Sequence, residues 1–87
     1  MTIKFILHKK STKHFKTASE LKPGYKVKIR RDLRFGKCGN DAVVFGMEKM
    51  RGYLVTIKEV NPDRNKFLIN EFGLNWTPEM TTGLIYF

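Results

Sequence analysis

Apolar and polar positions alternate most cleanly at Tyr25–Arg30, where Tyr25, Val27 and Ile29 share one face and Lys26, Lys28 and Arg30 the other. A period of two predicts a half-buried strand with a basic outer face. Tyr53–Val60 is the strongest strand pattern, because Leu54-Val55-Thr56-Ile57 is rich in β-branched residues. Asn61–Asn65 has the composition of a turn, and Lys66–Asn70 returns as the second arm of a hairpin. Gly83 opens an apolar terminal strand, Leu84-Ile85-Tyr86-Phe87, and Thr2–Leu7 reads as a first strand with Ile3 and Phe5 opposite Lys4.

Between these runs the chain is punctuated rather than helical. His8–Lys16 is polar and basic with Phe15 its one apolar residue, which reads as a loop or arm. Thr17-Ala18-Ser19-Glu20 has the spacing of a capping box, followed by a stop at Pro23-Gly24. Arg31–Asp41 has turn signals at Gly36, Gly39 and Asn40 and no period, so it reads as one long loop. Met47–Arg51, between Gly46 and Gly52, is long enough for one helical turn with Met47 and Met50 inward. Thr77-Pro78 is a helix-start pair with space for a single turn. The sum is a mainly β single domain of about five short strands with one or two single-turn helices. An open sheet leaves two edges. Pairing the apolar first and last strands would cover them, so a small SH3-like barrel is the leading expectation and an OB-like barrel the second.

At 87 residues, with 41% hydrophobic and 13% aromatic content, the chain suits one domain with a real core. The longest apolar run is Ala42–Phe45, far short of the ~18 residues needed to span a bilayer. No secretory signal is visible at Met1–Leu7, and a lone Cys makes no disulfide framework, so a cytoplasmic protein is expected. Charge changes the picture most. Of the 17 Lys and Arg, twelve lie in residues 1–37 with only Glu20 and Asp32 against them, a net of +10. Residues 38–87 carry five bases and six acids, a net of −1. A one-sided field concentrates polyanions, of which nucleic acid is the commonest. The candidate partner-binding residues are therefore Lys9, Lys10, Lys13 and Lys16 in the arm, Lys28 and Arg30 on the basic strand, and Arg31, Arg34 and Lys37 in the loop after it.

The same residues offer little to catalysis. Cys38 lies among Arg34 and Lys37, and neighbouring cations would lower a thiol's pKa, but no Cys-His signature accompanies it. Two His and one Cys without ligand spacing give no metal site, and no glycine-rich phosphate loop is present, so no cofactor is expected. Trp76 reads as a packing residue. Tyr25, Phe35 or Tyr53, where exposed beside cations, would instead stack on bases.

From Tyr25 to Met80 the chain resembles small SH3-like domains of phage and prophage proteins from Gram-positive bacteria. The resembling residues are Lys26-Val27-Lys28-Ile29-Arg30-Arg31-Asp32-Leu33, Gly36, Val44-Phe45, Met47, Met50 and Gly52. They continue with Val55-Thr56-Ile57, Val60 and Trp76-Thr77-Pro78-Glu79-Met80. The order and spacing carry the likeness. Cys38-Gly39 departs from it, since such domains often have Tyr-Gly there, and the first 24 residues lie outside it. The resemblance implies an SH3-like barrel and a mobile-element origin, with the long loop bordering the usual ligand face, and it implies no activity. Three readings follow. The first is a non-enzymatic module that binds nucleic acid or a nucleic-acid-containing complex. The second is a phage inhibitor of a host defence enzyme, for example an anti-CRISPR, acting on a host protein or ribonucleoprotein. The third is an enzyme using Cys38. No membrane partner is expected.

Overall fold

The computed structural model describes residues 11–39 and 41–87. Among them the fold is mainly β, with seven strands: β1 (Thr12–His14), β2 (Lys26–Ile29), β3 (Gly36–Cys38), β4 (Asp41–Val43), β5 (Leu54–Asn61), β6 (Lys66–Ile69) and β7 (Thr81–Tyr86). Its helical segments are four short 3₁₀ turns, at Ala18–Glu20, Met47–Met50, Pro62–Arg64 and Pro78–Met80. No described helix is long and apolar enough to cross a membrane. The candidate strand Thr2–Leu7 lies outside the described residues.

The main sheet is antiparallel in the order β1-β7-β2-β5-β6, and β3 and β4 form a separate hairpin. It is not closed into a barrel, because its outer strands β1 and β6 are not paired with each other. The apolar terminal strand, expected to pair with Thr2–Leu7 and so cover the sheet's edges, lies as β7 between β1 and β2. Two register shifts bend the sheet, one where β2 meets β7 between Val27 and Ile29, the other where β5 meets β6 between Ile57 and Glu59.

Alternation works as the pattern requires. Val27 and Ile29 are fully buried, and Val55, Ile57, Phe67, Ile69 and Ile85 join them from the neighbouring strands. Met47 is buried inside its 3₁₀ turn and Met50 packs against the same core. Trp76, at 0% exposure, lies at the centre, paired to Phe67 through two backbone hydrogen bonds of 2.8 and 2.9 Å and edge-on to the ring of Phe72.

Two expected loops are ordered elements. In the segment read as an arm, Thr12, Lys13 and His14 pair with Tyr86, Ile85 and Leu84. Phe15 then enters the core while its N–H donates to Gly83 O at 2.9 Å. An edge strand that is exposed on both faces has no alternation to read, so the polar run hid it. In the segment read as one loop, Gly36, Lys37 and Cys38 pair with Val43, Ala42 and Asp41.

The capping box at Thr17 forms, with the Glu20 carboxylate accepting the N–H groups of Lys16 and Thr17 at 3.0 and 3.1 Å. The turn it caps is tied to the β5–β6 hairpin by Asn65. That residue has φ 56°, in the left-handed region, and its Oδ1 accepts the Ala18 N–H at 2.7 Å. Asn tolerates this conformation better than Ala, and the bond satisfies a part-buried donor. Asn65→Ala should therefore lower unfolding stability by about 1–3 kcal/mol in denaturant titration. Asn65→Asp, which keeps both the acceptor and the backbone preference, should lose less than half of that.

Candidate polyanion-binding loop

The segment between β2 and β4 is held at four places along its length. Arg30 N donates to Met80 O at 3.1 Å. The Arg30 guanidinium grips Asp32 with two bonds, Nε to Oδ1 at 2.8 Å and Nη2 to Oδ2 at 2.9 Å, and its Nη1 donates to Glu79 O at 3.2 Å. Leu33 is buried, and its carbonyl accepts Arg51 Nε at 2.8 Å. At the far end, the buried Thr77 Oγ1 donates to Cys38 O at 2.9 Å. Beyond the hairpin turn, Asp41 Oδ2 meets Lys66 Nζ at 3.1 Å, linking β4 to β6.

Gly39 fits this arrangement for a backbone reason. Its φ is +73°, and a Cβ there would lie 2.9 Å from Thr77 Oγ1 and against the Glu79 carboxylate. Only glycine lets the hairpin turn approach the 77–79 segment so closely.

On this frame Arg30, Asp32, Leu33, Arg34, Phe35, Lys37 and Cys38 line an open depression of about 250 Å³. Arg34 and Lys37 are exposed, and Phe35 is 57% exposed. Arg31 is exposed as well, with its stem over Gly52. A second depression, of about 320 Å³, is lined by Phe15, Lys16, Pro78 and Glu79. Lys16 and Arg30 thus both border the Pro78–Met80 turn, and the Glu79 carboxylate lies against Gly39.

The structure sorts the candidate residues unevenly. Arg30, Arg34 and Lys37 share one depression, Arg31 is adjacent in the chain, and Lys16 lines the neighbouring one. Lys13 pairs with Ile85 and so belongs to the core side of the sheet at its edge, whereas Lys28, opposite Leu54, lies on the outer face. These two do not share a surface. Lys9 and Lys10 lie outside the described residues. Sequence reasoning did not find Asp32 as the partner that occupies Arg30, although the Arg-x-Asp spacing was a visible signal. Nor did it find Arg51 as a brace for the loop.

Charges around the site are set by these contacts. The Asp32 carboxyl is held below its ordinary range by the hydrogen bonds from Arg30. That pair is well exposed, so its effect is on geometry more than on stability. The Cys38 thiol is pushed up, chiefly by burial, with Glu79 and Asp32 adding to burial and Arg30 opposing it. The expectation that local cations would lower it is overturned, because desolvation outweighs them. No group of three or more His, Cys, Asp or Glu able to hold a metal occurs among the described residues.

In comparisons with known proteins, no family model, no curated protein and no solved structure matches this chain.

The Asp41 carboxyl is held below its ordinary range by the Ala42 N–H first and Lys66 second. A depressed folded value means the contribution to stability is present above the ordinary Asp pKa. It is lost as pH falls through the folded value. Denaturant unfolding of the wild type should therefore show stability falling on acidification below about pH 4. Asp41→Asn should start less stable at neutral pH and lose less on acidification. An unchanged acid slope in Asp41→Asn would show that the Asp41–Lys66 link does not anchor the hairpin.

Proposed function

We propose that this protein is a non-enzymatic binding module that grips the phosphates of nucleic acid, or of a complex containing nucleic acid, through the basic loop Arg30–Lys37. The observation that carries this reading is the depression in which Arg34 and Lys37 stand exposed on a braced backbone while Asp32 is taken up by Arg30. Cations held on a fixed frame meet a polyanion with little ordering cost, and the one-sided charge of the sequence steers it there. The neighbouring Lys16 and Arg31 extend the footprint. The fold is read as a relative of the SH3-like domains of phage and prophage proteins. The residue pattern from Tyr25 to Met80 supports that kinship, and the short antiparallel strands broken by 3₁₀ turns support its mainly β character.

A second reading is a phage-encoded inhibitor of a host defence enzyme, for example an anti-CRISPR, acting by protein–protein binding. Val44 and Phe45 favour it. Phe45 is 79% exposed, with Lys49 Nζ 5.9 Å from its ring, and apolar exposure of that size has no use in gripping phosphates. Affinity capture from nuclease-treated lysate separates the two, since a protein partner survives that treatment and a nucleic-acid partner does not.

Backbone gripping predicts affinity for a labelled oligonucleotide that falls steeply with salt and depends little on sequence. Arg34→Glu with Lys37→Glu should weaken binding at least tenfold and lower the salt slope by about two. The same change at Lys49 and Lys58 should have a much smaller effect. Equal losses from both pairs would mean that net charge, and not the loop, does the binding.

A further inference from the structure

We propose that the loop takes single-stranded nucleic acid, with one base stacked on Phe35 and the adjoining phosphates held by Arg34 and Lys37. This deepens the nucleic-acid reading and rests on it.

Phe35 lies between Gly36 and Arg34, at the rim of the depression that Arg30, Arg34 and Lys37 also line. Its 57% exposure is not the result of a loose segment. Two residues before it, Leu33 is buried and hydrogen-bonded to Arg51. Three residues after it, Cys38 O is held by Thr77, and β3 is paired with β4. An aromatic ring displayed by a braced backbone, in a depression that Arg34 and Lys37 also line, has the two parts of a single-strand platform: a π-face for a base and charges for the backbone.

The size of the site argues the same way. The depression, at about 250 Å³, falls below the ~300–1,000 Å³ of pockets that enclose small molecules. It is open, as a surface that receives one unit of a polymer must be. Arg30 is occupied by Asp32 and Glu79 O, so Arg34 and Lys37 are the lining cations left to meet phosphate. Two contacts are few beside the 6–10 of a typical duplex binder. Base stacking would supply what charge alone does not. In a duplex the base faces are covered by their neighbours, and Phe35 would meet only the backbone.

The test is fluorescence anisotropy at low salt, about 50 mM. The probes are an oligothymidylate of about 12 nucleotides, a duplex with the same number of phosphates, and an abasic strand of equal length. The wild type should prefer the oligothymidylate to both others by at least tenfold. Phe35→Ala should weaken oligothymidylate binding by about 5- to 100-fold, leave the abasic strand and the duplex unchanged, and leave the salt slope unchanged. Because Phe35 is exposed, the variant should fold. Phe35→Leu, which keeps apolar area without an aromatic face, should lose affinity as well and guards against a folding artefact. Duplex binding as tight as single-strand binding, or an unchanged oligothymidylate affinity in both variants, overturns the single-strand assignment. If Arg34→Glu with Lys37→Glu still abolishes binding in that case, the broader nucleic-acid reading stands. Absence of binding to all three probes overturns both.

Discussion

Trp76–Met80 is the segment on which three otherwise separate parts of the molecule converge. Trp76 completes the core and forms an antiparallel bridge with Phe67 on the free edge of β6. Thr77, fully buried, spends its hydroxyl on Cys38 O and so holds the β3–β4 hairpin. Glu79 and Met80 offer their carbonyls to Arg30, one to the side chain and one to the backbone N–H. A buried hydroxyl left without its acceptor costs about 1–3 kcal/mol, so the hairpin has one position at which Thr77 is satisfied. Gly39 permits that position and no Cβ-bearing residue would without displacement. The basic loop is thus a consequence of core packing. Its ends are fixed by residues that exist for the fold, and the exposed side chains between them are free to serve a partner.

Electrostatics follow from the same geometry. Arg30, Arg31, Arg34 and Lys37 lie within eight residues and repel one another. Asp32 relieves part of this by pairing with Arg30, and the fork geometry of guanidinium and carboxylate makes the pairing directional. The pair is solvent-exposed and contributes little to stability, but it decides which cations remain available. Cys38 borders the same depression, and burial there outweighs Arg30 and raises its pKa.

Much of this was legible in the residues. The alternation at Tyr25–Arg30, the β-branched run at Leu54–Ile57, the hairpin turn at Asn61–Asn65 and the Thr77-Pro78 helix start all correspond to observed elements. Each depends on local chemistry that a short window contains. The β1 strand and the β3–β4 hairpin were not legible, because their pairing partners supply the order. Thr12-Lys13-His14 has no apolar face, and Gly36-Lys37-Cys38 is a strand only because Ala42 and Val43 lie opposite. Sheet order is a long-range property too. An apolar terminal strand can close a barrel or enter a sheet, and β7 enters between β1 and β2. The candidate site was half legible. Charge count found the loop, but only the fold shows that Arg30 is occupied and that Lys13 and Lys28 face apart.

The division between rigid backbone and free side chains has an energetic meaning. Arg and Lys side chains each hold about 2 kcal/mol of rotamer entropy, part of which is lost when they fasten on a fixed target. Electrostatic attraction to a polyanion tolerates many rotamers, so exposed cations can bind without giving up much of that freedom. A ring with two rotatable bonds on a braced backbone has little entropy to lose and a fixed face to present. Within one short loop, affinity would then come from Arg34 and Lys37, which act at a distance and imprecisely. Discrimination between ligands of equal charge would come from Phe35, which acts only at contact. A small sheet with a modest core achieves this because the loop borrows its rigidity from Leu33, Thr77 and Arg51 and from the pairing of β3 with β4.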